Sequence, residues 1–125
     1  MRPGTSEVWI GDVGWARWEE IDRIAQPPGS APLNFGWPCY EGTERQPVYD
    51  GFNLTLCESL YATPGGLAAP YFAYSHRSSL QPGDGCSATS SCTSAISGLA
   101  FYTGGSYPAS YAGALFFADY SRHGI

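Results

Sequence analysis

The chain is 125 residues long, 43% hydrophobic and only 14% charged, with 16 glycines, 10 prolines and 15% aromatics. That mix fits one domain or part of one, built from short strands and many turns rather than long helices. Six Lys and Arg against eleven Asp and Glu leave a formal net charge of −5, so the basic patch that phosphate-backbone binding draws on is missing and nucleic acid is not an expected partner. The longest apolar run, Ala112 to Ala118, falls well short of the ~20 residues of a membrane-spanning helix.

The first residues, Met1 to Thr5, contain no apolar segment able to act as a signal peptide. Four cysteines and the absence of lysine nevertheless suit an exported, secreted or periplasmic protein. A longer natural N-terminus reconciles the two signals. Val8-Trp9-Ile10 followed by Gly11-Asp12 reads as a buried strand meeting a turn, and Gly14 permits a close backbone approach to a ligand or ion. Glu19 and Glu20 follow within reach of that turn. Trp18, Ile21 and Ile24 lie in a second extended piece, although their spacing of three also fits a helical turn. Residues 25–33 are a proline-rich loop, and Asn34 to Pro38 is an aromatic turn.

Residues 39–94 read as a long, irregular connection, interrupted by a possible short strand, Pro70 to Tyr74. The four cysteines allow three pairings. Cys39 with Cys57 and Cys86 with Cys92 are favoured because each pair brackets a loop, and the first closure is worth roughly 3 kcal/mol in a chain-entropy model. Neither spacing is C-x-x-C, and His76 and His123 fall outside a zinc-finger pattern. Ile96 to Tyr102, the turn Thr103 to Ser106, and Ala114 to Tyr120 form a hairpin-like unit. Val8 to Asp12 and Leu115 to Asp119 have one shape: three bulky apolar residues, a small residue, then Asp. Such recurrence is what successive blades of a β-propeller present. The expected fold is therefore all-β, about two blades of a propeller with long irregular insertions: a blade part at 1–38, a long loop at 39–94 and a second blade part at 95–125.

Gly11-Asp12-Val13-Gly14 with Trp18-Glu19-Glu20-Ile21-Asp22, then Asn34-Phe35-Gly36-Trp37-Pro38 with Tyr40-Glu41-Gly42, then Ile96-Ser97-Gly98 through Phe116-Phe117-Ala118-Asp119-Tyr120 together resemble the glucose/sorbosone dehydrogenase family. Its members include soluble quinoprotein aldose dehydrogenases and, more distantly, Hedgehog-interacting proteins. The resemblance implies a six-bladed propeller that binds pyrroloquinoline quinone (PQQ) with the help of calcium and oxidises an aldose at its anomeric carbon to a lactone. By motif, it places the backbone carbonyls of Gly14 and Trp15 at the cofactor calcium with Glu19 nearby, and Glu20, the Phe35 carbonyl and Glu41 at a second, structural calcium. Arg122 stands near the position of a cofactor-facing lysine in quinone-binding relatives, though a guanidinium fork and an ammonium are not interchangeable. Trp15 stands where relatives commonly carry Gln. Neither His76 nor His123 matches the catalytic histidine, so the chain alone is expected to be inactive, as a fragment of the enzyme. A non-catalytic propeller module that binds glycan or protein is the alternative.

The remaining candidates have plainer readings. His76, at the end of an aromatic strand, is expected to be a hydrogen-bonded loop residue. Ser121, Asp119 and His123 have the residue types of a hydrolase triad but lack a nucleophile elbow. Trp9, Trp18 and Trp37 are the candidates for a sugar-stacking face, but at least two of them are expected in the core. Asp12 and Asp119 are expected to cap turns. Asn53-Leu54-Thr55 is a glycosylation sequon that is usable only in a secretory host.

Overall fold

A computed structural model describes residues 1–27, 31–87 and 92–122. Strand β1 (Val8–Asp12) and strand β2 (Trp18–Ile24) form an antiparallel hairpin in which Val8 faces Ile24 and Asp12 faces Glu20. The other edge of β2 pairs with a strand that arrives much later in the chain, Phe72–Ser75, placing Trp18 opposite Ser75 and Ile21 opposite Phe72. The strand reading of residues 18–24 thus prevails over the helical turn. A helix would gather Trp18, Ile21 and Ile24 on one side, whereas the strand puts Ile21 on one face and the other two on the opposite face.

The long connection at 39–94 holds more than the one short strand expected in it. Two short strands, β3 (Tyr40–Glu41) and β4 (Glu44–Arg45), pair with each other. Helices α1 (Pro47–Gly51) and α2 (Thr55–Tyr61) follow, and Phe72–Ser75 is strand β5 of the first sheet. The side chain of Gln46 starts α1 by accepting the N–H groups of Val48 and Tyr49 at 2.7 and 3.1 Å, with Pro47 at the first turn. The first sheet thus takes its third strand from within 39–94, where a short strand over Pro70 to Tyr74 was expected. Both favoured disulfides are formed, Cys39–Cys57 and Cys86–Cys92, as suits an extracellular or periplasmic location.

Strands β6 (Ile96–Phe101) and β7 (Leu115–Asp119) make a second antiparallel sheet, with a register irregularity between Ile96 and Gly98. The two sheets meet face to face. Ile21, Tyr74 and Ile96 are the buried centre, and Trp9, Leu99, Leu115 and Phe117 pack around them. Burial of a side chain such as Ile21 stabilises by about 1.5–3 kcal/mol. Gly11 marks the closest approach, since a Cβ there would lie 2.7 Å from the Leu99 Cδ1 and 3.3 Å from Ile96. Strands occupy 28% and helices 13%, in small open sheets with no closed barrel or propeller among the described residues. No helix of the described residues is long and apolar enough to cross a membrane.

Candidate functional site

The alternation of β2 gives each of its acidic residues a different duty. Glu19 and Ile21 point between the sheets, while Glu20 and Asp22 point to the opposite face, with Glu20 directly across from Asp12. Burial on both sides is unusual for a strand reading Trp-Glu-Glu-Ile-Asp: Glu19, Glu20 and Asp22 are 0, 6 and 1% exposed.

Glu19 is fully committed within the protein. One of its oxygens lies 2.7 Å from the His76 Nε2 and the other accepts the Ile96 N–H at 2.9 Å, so it ties the first sheet to the second. Burial raises its pKa, the bonds from Ile96 and His76 oppose that rise, and the nearby Asp119 adds to it. His76 is thus a hydrogen-bonded residue at a strand end. Arg122 is equally engaged. Its Nε donates to the Ser94 hydroxyl, and its two terminal nitrogens donate to the Ser78 and Ser75 carbonyls, each at 2.6 Å. Asp84 and Asp119 flank it at 3.6 and 3.8 Å.

The opposite face of β2 collects acids that have no ion-pair partner among the described residues. Glu41, on β3, sends its Oε1 into the turn between β1 and β2, where it accepts the N–H groups of Ala16, Arg17 and Trp18 at 2.7, 2.5 and 3.0 Å. Gly14 is required in that turn, because a Cβ would collide with the Trp18 carbonyl and lie 2.7 Å from the Glu41 Oε1. Its close approach is therefore to protein. The Gly42 N–H donates to the Glu20 Oε1. The Asp22 Oδ1 and the Glu41 Oε2 are buried and have no hydrogen-bond partner among the described residues. Burial pushes the Glu20 carboxyl up to about 7 against the pull of the Gly42 bond, with Asp22, Asp12 and Glu41 adding like-charge repulsion. Burial and Asp12 push Asp22 up to about 6, and burial also raises Asp12.

Each residue named for the cofactors can now be placed. Glu20 and Glu41 converge on this acidic face, Gly14 and Trp15 form the turn beside it, and Phe35 lies half-buried in the loop that leads to β3. Glu19 and Arg122 belong to the inter-sheet network instead. Among the described residues no group of three or more His, Cys, Asp or Glu side chains is placed to hold a metal ion, so any ion here would meet at most two carboxylates and would take the rest of its shell from backbone oxygens. Asp22 and Asp12 were missed as members of this group. The signal was present in the alternation, since residues 20 and 22 share a strand face and Asp12 precedes the turn.

Of the tryptophans, Trp9 sits edge-on to Tyr71 and Phe101 at 4.6 and 5.4 Å, and Trp18 packs on Gly42. Trp37 remains half exposed, grouped with Trp15 and Tyr49 at ring separations of 5.7–6.4 Å. Asp119 is a turn cap, accepting the N–H groups of Ala95, Ser121 and Arg122 and the Tyr74 hydroxyl. Asp12 accepts the Val13 N–H at the start of its turn and also stands opposite Glu20. His123 lies outside the described residues. No family model, curated protein or solved structure matches the chain.

Proposed function

We propose that this chain is part of a calcium-binding propeller of the glucose/sorbosone dehydrogenase type, from an exported protein that oxidises an aldose with PQQ as cofactor. In this reading the chain contributes a cation site and an interface between neighbouring blades rather than the reacting groups. The observation that carries it is the buried acid group: Glu20, Asp22 and Glu41 are each at least nine-tenths removed from water, with one oxygen of Asp22 and one of Glu41 unpartnered. Ionised carboxylates in such a place are costly unless paired, and oxygen donors of this kind suit a hard divalent cation. Glu20 and the free oxygen of Glu41 would hold the ion, with the Phe35 carbonyl as a further donor. When bound, calcium supplies positive charge that offsets the repulsion among these acids. The face-to-face packing of two antiparallel sheets across Gly11 supports the propeller half of the proposal.

The quinone is a poorer fit. Two of the residues proposed for it, Glu19 and Arg122, have their polar groups taken by protein partners. No chemical step is assigned to this chain, and none is routed through a quinone.

Isothermal titration with calcium at pH 7.5, on the wild type and on Glu20→Gln, tests the reading. Saturable binding by the wild type that is lost in the variant is the expected result, and no binding by the wild type refutes the cation site. A chain extended on both sides, supplied with calcium and PQQ, tests the parent activity by dye reduction with aldoses. The half-exposed Trp15 and Trp37, grouped with Tyr49, favour a second reading, a glycan- or protein-binding module. Glycan binding by an extended protein that neither binds the quinone nor reduces the dye would select it.

A further inference from the structure

We propose that Asn53 is an acceptor site for an N-linked glycan. The sequon Asn53-Leu54-Thr55 fills the connection between the end of α1 at Gly51 and the start of α2 at Thr55, and all three residues are exposed. Asn53 has a φ of 51°, a left-handed conformation that Asn tolerates and Gly would satisfy equally. Its side-chain amide makes only a long bond, 3.3 Å, to the Gly51 carbonyl, so the nitrogen that would be modified is accessible.

Thr55 is the more telling residue. It opens α2 rather than capping it, since the cap position is Leu54 and no side chain bonds there. A β-branched residue gains nothing in that place. Its hydroxyl makes no hydrogen bond among the described residues, whereas the transferase that reads a sequon requires it. The surroundings fit as well. Phe52, Leu54 and Leu56 are 64, 39 and 67% exposed, an apolar rim that a solvated glycan beside Asn53 would screen. The two disulfides imply the oxidising compartment in which such transfer takes place. In the reaction, the Asn53 amide nitrogen bonds to the anomeric carbon of an oligosaccharide as that carbon's bond to a polyprenyl diphosphate breaks. The amide gives up a proton, and nothing is oxidised or reduced.

The test is expression behind a secretion leader in a glycosylating eukaryotic host, with parallel translation into microsomes, where transfer reaches the chain before it folds. The wild type should carry a glycan on the tryptic peptide between Arg45 and Arg77, removable by an N-glycan amidase. Asn53→Gly, which keeps the turn, and Thr55→Val, which keeps the shape, should lose it completely, while Thr55→Ser should retain it. An unmodified wild type in both settings, or a glycan that persists in Thr55→Val, overturns the proposal. The outcome is independent of calcium and quinone binding.

Discussion

Glu20→Gln isolates the cost of the buried acid group. An unfolded Glu gives up its proton near 4.5, but the folded chain holds it until about 7. The unfolded state therefore gains ionisation free energy over that interval, and stability must fall as pH rises from 4.5 to 7 and remain low above it. The displacement corresponds to about 3 kcal/mol, or ~12 °C in melting temperature for a chain of this size at ~4 °C per kcal/mol. Asp22, pushed up to about 6, adds a loss of the same sign that begins near 3.8. Carboxyls with lowered values act in the opposite direction. The backbone bonds from Leu80 and Cys86 hold Asp84 down at about 2, so its contribution disappears only as pH falls from 3.8 toward 2. Stability should peak near pH 4. Gln at position 20 keeps an oxygen for the Gly42 N–H but carries no charge. In chelator at pH 7.5 the variant should be about 3 kcal/mol more stable than the wild type, and equal to it at pH 4. Calcium should raise wild-type stability at pH 7.5 by about 2.7 kcal/mol at a hundredfold excess over its dissociation constant, and leave the variant unmoved. Urea unfolding across pH 4–8, with and without calcium, measures all of this. A wild-type profile that is flat or rising between pH 4.5 and 7 in chelator refutes the reasoning, as does an undiminished calcium response in Glu20→Gln.

Gly14→Ala should cost ~3 kcal/mol or more, because the added methyl collides with the Trp18 carbonyl and crowds the Glu41 carboxylate. Gly51→Ala, where the space is open, should instead gain about 0.5–1 kcal/mol; thermal melts of the two variants make the comparison. Cys39→Ser with Cys57→Ser removes a closure spanning 18 positions and should cost roughly 3 kcal/mol in urea. Arg122→Lys keeps the charge but not the three-way fork to Ser94, Ser78 and Ser75, and should destabilise by about 1–3 kcal/mol. If Arg122→Lys melts with the wild type, the fork is not what anchors β7 to the loop after β5.

Local features of the sequence were legible to the extent that neighbours in the chain govern them. The β1–β2 hairpin followed from its apolar run and glycine turn, the β6–β7 hairpin from its own, and the disulfide pairs from the loops they bracket. Less visible was the content of residues 39–94. Gln46 as a helix cap and the short α1 and α2 leave a weak periodic signal over five and seven residues. The duties of Glu19 and Glu20 were also hidden, because adjacent strand residues point to opposite faces and become distinct only when each face has something packed on it.

The sequence by itself determined that the chain builds short strands around glycine turns and that acids crowd the first hairpin, and it favoured, among three possible pairings, the one in which the cysteines close two local loops. Only the tertiary structure decided that β5 completes the first sheet, that Glu19 and Arg122 serve the joint between sheets, and that Asp22 and Glu41 are buried with unpartnered oxygens. The physical reason is that turns and local closures are set by contacts close along the chain. Whether a carboxylate is solvated, bonded or stranded depends on segments tens of residues away, such as Gly42 beside Glu20 and Ile96 beside Glu19.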